Sequence, residues 1–112
     1  VAVPPVVAVP AVPAIAADSY ILVDFESGKV LQEKKSRTQV EPASITKMMT
    51  AYAVFSALKN GAIGIEDEVL ISEKAWRMKG SRMFIEVNKK IKVSALLKGM
   101  IIQSGNDASI AL

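Results

Sequence analysis

Two short stretches hold the residues able to do chemistry. In EPASITKMMTAY, residues 41–52, Ser44 precedes Lys47 by three positions. In IIQSGNDAS, residues 101–109, Ser104 and Asn106 flank a glycine. Positions i and i+3 of a helix share a face, with Cβ atoms about 5–6 Å apart. A neutral lysine amine can take the proton of a hydroxyl one turn away as that oxygen attacks a carbonyl. Burial or a neighbouring cation favours the neutral form, and the apolar neighbours Ile45, Met48 and Met49 would bury Lys47. If Ser44 opens the helix, the free N–H groups of the first turn favour negative charge on the attacked oxygen. The ordinary reading of Ser-x-x-Lys is a helix start, and of Ser-x-Asn a turn followed by an N-cap. The two motifs in this order, on elements that can face one cleft, are more specific than either alone.

Composition narrows the chemistry. The 112 residues include no histidine and no cysteine. A Ser-His-Asp triad, a histidine-ligated metal, thiol catalysis and disulfides are thereby excluded for this chain. Hydrolytic chemistry must use serine, lysine, carboxylates or tyrosine. Hydrophobic residues make up 51% of the chain, enough for a globular core, and the net charge is +3. Lys89, Lys90, Lys92 and Lys98 form a loose basic cluster with no interleaved aromatics, which reads as a solvated face and not a nucleic-acid surface. Glu66, Asp67 and Glu68 lack calcium-loop spacing and read as a solvated turn, so no metal is expected.

The elements that must carry the motifs follow from pattern. YILVD and KVLQE, joined by FESG, predict a β-hairpin over 20–34. Residues 44–59 predict a helix that is apolar nearly all round and therefore buried, ended by Asn60-Gly61. Tyr52 and Met48, Met49, Met83 and Met100 are read as core, and Trp76 as an apolar anchor. DEVLIS predicts a strand, EKAWRM a short helix or turn, and MFIEV with IKV a small hairpin. Residues 94–103 predict a second helix with Ser94 as N-cap, broken at Gly105, and DASIAL a third helix with Asp107 near its start. Two strands cannot cover a buried helix, so its partners are expected in sheet strands beyond residue 112.

Residues 1–17, VAVPPVVAVPAVPAIAA, carry four prolines and no charge. They are too short and too proline-rich for a transmembrane helix. The small-residue run before DSY reads as the end of a signal peptide or as a disordered tail, and the first reading implies export. The expected domain boundary lies there, with 18–112 forming the N-terminal part of a catalytic domain. Both ends of the chain read as points inside a longer protein.

Taken together, YILVDFESGKVL, EPASITKMMTAY, GSRMFIEV and LLKGMIIQSGNDASIAL resemble the penicillin-recognising serine acyl-transferases over residues 18–112. The closest likeness is to the low-molecular-weight D-alanyl-D-alanine carboxypeptidases. Gly105 fits these better than the aspartate that class A β-lactamases carry at the middle of the second motif. The resemblance implies an α+β fold, an antiparallel sheet flanked by helices, incomplete in this segment. It implies Ser44 as the acylated nucleophile, Lys47 as its base, Ser104 as a proton shuttle and Asn106 as the amide that holds the substrate carbonyl. The implied reaction removes the terminal D-alanine from peptidoglycan pentapeptide stems, with β-lactams acylating the same serine and no cofactor needed. It implies a periplasmic protein, peripheral to the inner membrane through a C-terminal anchor that these residues do not include. The family's third motif, Lys-Thr-Gly on a strand, does not occur in the 112 residues. A class A β-lactamase, another penicillin-binding protein or an inactive truncated product remain open alternatives.

Overall fold

The structure is a computed structural model that describes residues 1–5 and 10–112. Part of the expected signal remnant, residues 6–9, lies outside the described residues. The chain forms two compact units, 1–41 and 42–112.

The first unit is built on a hairpin. Strand β1 (Tyr20–Val23) pairs antiparallel with β2 (Val30–Lys34), Tyr20 opposite Lys34 and Val23 opposite Val30, with an irregularity after Leu22. Asp24 organises the turn. Its backbone N–H donates to the Lys29 carbonyl at 2.8 Å, and its carboxylate accepts from the Ser27 N–H at 2.7 Å and hydroxyl at 2.6 Å. Gly28 takes the left-handed φ of 69° that closes the turn. The Ser27 hydroxyl, followed by its N–H, holds the Asp24 carboxyl below the usual carboxylate range.

In the second unit a short 3₁₀ turn (Ala43–Ile45) feeds α1 (Thr46–Lys59). The helix stops at Asn60, and Gly61 at φ 78° turns the chain away. Strand β3 (Glu68–Leu70), the single-turn helix α2 (Glu73–Trp76), strand β4 (Lys90–Lys92), α3 (Val93–Gln103) and α4 (Asn106–Ala111) follow. The core gathers Val54, Ile71, Ala75, Ile85, Val93, Leu96, Leu97, Met100 and Ala108, with Leu96 and Ile71 fully buried. α3 contributes most of it, because Val93, Leu96, Leu97 and Met100 recur at helical spacing on one face.

Several expectations are corrected. IKV pairs with DEVLIS and not with MFIEV: β4 runs antiparallel to β3, with Glu68 opposite Lys92 and Leu70 opposite Lys90. MFIEV forms no strand. Phe84 sits in the left-handed region at φ 61°, and the Met83 and Ile85 N–H groups donate to the Asp107 carboxylate at 2.9 and 3.2 Å. Ser94 is inside α3 and not its cap. The first N–H groups of α3, on Val93 and Ser94, donate to the carbonyls of Asp67 and Ile65 at 2.9 and 3.0 Å. Along α1 only Val54 is buried, while Met48, Met49 and Tyr52 are about 70% exposed. The described elements cover one side of this helix, which is too little for a surface apolar nearly all round. Of the methionines read as core, Met100 is buried and Met83 half-buried; Trp76 is 44% exposed.

Leu96→Ala should therefore lower unfolding free energy by about 2–5 kcal/mol, whereas Tyr52→Ser should change it by about 0.5 kcal/mol or less, as read by urea denaturation of the chain. A separate prediction concerns the hairpin turn. Asp24 stabilises it in the charged form, so that contribution is present above the usual carboxylate range and is lost as pH falls through the lowered value. Ser27→Ala should move the Asp24 titration upward in an NMR pH series.

Candidate active site

Ser44 is the middle residue of the 3₁₀ turn ahead of α1. The turn follows Pro42, whose carbonyl accepts the Ile45 N–H at 3.0 Å. Ala43 is held at φ 45°, a left-handed conformation that costs a residue with a Cβ about 1–2 kcal/mol. That kink brings the Ser44 side chain onto the face that Lys47 occupies in the first turn of α1. Ser44 is exposed and Lys47 half-buried.

The second wall is the junction between α3 and α4. The expectation that Gly105 breaks α3 is corrected in detail. Ser104 is the residue in the left-handed region, at φ 54°, and Gly105 has φ −62°. Space is tight at 105. A Cβ there would lie 3.1 Å from Asp107 Oδ1, 3.2 Å from the Gly99 carbonyl oxygen and 3.3 Å from the Met83 nitrogen. The sharp turn at Ser104 aims both its carbonyl and its hydroxyl at Lys47.

Four oxygens surround Lys47 Nζ. They are Asn106 Oδ1 at 2.6 Å, the Ser104 carbonyl at 3.0 Å, Ser104 Oγ at 3.0 Å and Ser44 Oγ at 3.2 Å. Ser104 Oγ also lies 3.1 Å from Ser44 Oγ, closing a triangle of two hydroxyls and one amine. Thus all four residues singled out in the sequence meet at one point, across about sixty residues of chain. The burial of Lys47 expected from its sequence neighbours does not come from them: Ile45, Met48 and Met49 are all exposed. Polar contacts hold the amine instead.

Sequence reasoning missed what holds Asn106. Its Nδ2 donates to the Lys79 carbonyl at 2.6 Å, and its backbone N–H donates to the Ser81 carbonyl at 2.7 Å. Because Nδ2 is committed to a carbonyl, Oδ1 must be the atom facing Lys47. Gly80, at φ 84°, lies so close that a Cβ would sit 2.8 Å from Nδ2. The only sequence signal for this support was the small-residue pair Gly80-Ser81 inside GSRMFIEV.

Open space lies on both sides of the triangle. One cavity of about 240 Å³ is mostly apolar and lined by Met48, Ala51, Met100 and Ile101 beside Ser44 and Lys47. The other, about 370 Å³, adds Thr46, Met78, Asn106, Ser109 and Ile110. An extended substrate can therefore pass Ser44 Oγ with groups on either side. The arrangement can deliver a serine oxygen to a carbonyl and move its proton through an amine and a second hydroxyl.

Comparison with known proteins shows what the chain is similar to. The family model described as D-alanyl-D-alanine carboxypeptidase matches residues 6–112. The chain is 44% identical over 110 residues to the D-alanyl-D-alanine carboxypeptidase DacA of Escherichia coli (strain K12), covering 93% of this chain and 27% of that protein. Among solved structures it is similar to penicillin binding protein 5 from Haemophilus influenzae, with a TM-score of 0.78 and 42% identity, covering 91% of this chain and 30% of that one. It is also similar to the D-alanyl-D-alanine carboxypeptidase DacD from Francisella tularensis, with a TM-score of 0.79 and 35% identity over 98% of this chain and 27% of that one. The chain thus spans about a quarter of the length of the curated relatives it matches.

Gly105→Ala tests the packing at the junction. The added methyl meets two backbone atoms, which cannot move aside as a flexible side chain would. The variant should lose about 1–3 kcal/mol of stability in urea denaturation.

Proposed function

Because the chain belongs to the D-alanyl-D-alanine carboxypeptidase family, we propose that the protein is a serine-type carboxypeptidase acting through an acyl-enzyme on Ser44. Its substrate is the D-Ala-D-Ala end of peptidoglycan pentapeptide stems. β-Lactams, which present a similar end, acylate the same oxygen. A substrate in the cell wall calls for an exported protein, working in the periplasm at the inner-membrane surface.

The observation that carries this reading is the placement of Lys47 Nζ between Asn106 Oδ1, the Ser104 carbonyl and the two serine hydroxyls. The amide oxygen and the carbonyl can only accept hydrogen bonds. A neutral amine has two N–H groups for them, which leaves its lone pair towards the hydroxyls. Ser44 Oγ then attacks the carbonyl carbon of the D-Ala–D-Ala amide while its proton passes to Lys47. The C–O bond forms and a tetrahedral oxyanion develops. The Ser44 backbone N–H, at the start of the helix, is one donor to it. As the C–N bond breaks, the proton on Lys47 reaches the departing amine through Ser104 Oγ, 3.0 Å from Nζ. Free D-alanine leaves. Water then attacks the ester, its proton passing by the same route, and restores the Ser44 hydroxyl. Within the protein, the protons move among Ser44 Oγ, Ser104 Oγ and Lys47 Nζ, each within hydrogen-bond reach of the other two.

Lys47→Arg tests the base directly, since a guanidinium keeps its proton throughout the working pH range. In the full-length protein this variant should slow D-alanine release from a D-Ala-D-Ala peptide by about 100-fold or more. An undiminished rate would remove the amine from the mechanism.

A further inference from the structure

Asp107 is the one charged residue among the described residues whose side chain is fully buried, at 1% exposure, and the chemistry above does not use it. Burying a carboxylate costs several kcal/mol unless hydrogen bonds replace its water. An acidic residue serves a helix N-terminus equally well from the surface, so the dipole of the short α4 does not account for burial.

What replaces water is backbone N–H groups, two of them from one segment. Asp107 Oδ1 accepts the Met83 N–H at 2.9 Å, Oδ2 accepts the Ile85 N–H at 3.2 Å, and Oδ1 also accepts the N–H of Ala108 at 2.9 Å. The same segment makes three further bonds to the α3–α4 junction. The Lys79 carbonyl accepts from Asn106 Nδ2, the Ser81 carbonyl accepts from the Asn106 N–H, and the Ser81 hydroxyl donates to the Gln103 carbonyl. The segment's contributing residues are 79, 81, 83 and 85, every second one, so 79–85 docks as a single edge. Its near end fixes the Asn106 amide, and its far end is held by Asp107.

We propose that Asp107 is a positioning residue. Its buried carboxylate locks segment 79–85 at the register in which the Lys79 carbonyl orients the Asn106 amide and Asn106 Oδ1 in turn orients the Lys47 amine. The coupling is short. Asn106 and Asp107 are adjacent, and a slip of the segment by one residue would withdraw the Lys79 carbonyl from Asn106 Nδ2. The inference rests on the carboxypeptidase reading, because it assigns Asp107 an effect on the acylation step.

The test measures acylation of the full-length protein by a fluorescent penicillin over a range of concentrations, which separates the limiting acylation rate from the apparent binding constant. Asp107→Ala should lower the limiting rate tenfold or more with little change in binding. Asp107→Asn keeps one acceptor oxygen and should recover part of the loss. Leu96→Ala, a core change that touches none of the site, serves as the control for lost stability. Ser81→Ala removes one clasp bond from an exposed side chain, and should lower the same rate if the Asp107 variants do not fold. Wild type acylating while Asp107→Asn and Ser81→Ala match it, or while Asp107→Ala slows no more than Leu96→Ala, overturns the positioning role alone. Wild type failing to acylate overturns the carboxypeptidase reading and this role with it.

Discussion

The site depends on one nitrogen. Lys47 Nζ bonds both halves of the chemistry, the serine in the turn ahead of its own helix and the loop whose serine arrives 57 residues later. Its contacts are short and directional, and three of the four come from the loop. A lysine at this position without the loop would be a solvated side chain near a helix start. With the loop it becomes a junction through which a proton can pass between two hydroxyls.

The rest of the second unit can be understood as support for that junction. The α3 helix is buried along one face, so its end is fixed, and the left-handed turn at Ser104 places two oxygens at Lys47. Gly105 admits the close approach of three other atoms. Segment 79–85 then holds Asn106 by side chain and backbone together. On the other side, the strained φ of Ala43 sets the Ser44 turn. Strain of this kind persists only where the surroundings over-determine the conformation, and such positions cluster at functional sites.

The four candidate residues were legible in the sequence because their signal is local. Residue type and i to i+3 spacing on a predicted helix, and a Ser-Gly-Asn between two predicted helices, require no knowledge of tertiary structure. The hairpin at 20–34 and the helices were legible for the same reason. What failed was pairing. MFIEV has strand composition, yet Asp107 takes its N–H groups and Phe84 turns out of the extended region. A carboxylate reached across more than twenty residues leaves no trace in periodicity. The apolar surface of α1 states a demand for cover, and the described elements meet that demand on one side only. Asp107 itself looked like an ordinary first-turn acid, and only its burial distinguishes it.

The central claim is that Ser44, and no other hydroxyl of the cluster, carries the acyl group. Cleavage after Arg37 and Lys47 places Ser44 in a peptide of residues 38–47, apart from Ser104. The most direct measurement is therefore mass spectrometry of tryptic peptides after the full-length protein has reacted with benzylpenicillin. The expected result is a penicilloyl mass on residues 38–47, with fragment ions that place it on Ser44. An adduct on the peptide that contains Ser104, or none at all, would contradict the claim.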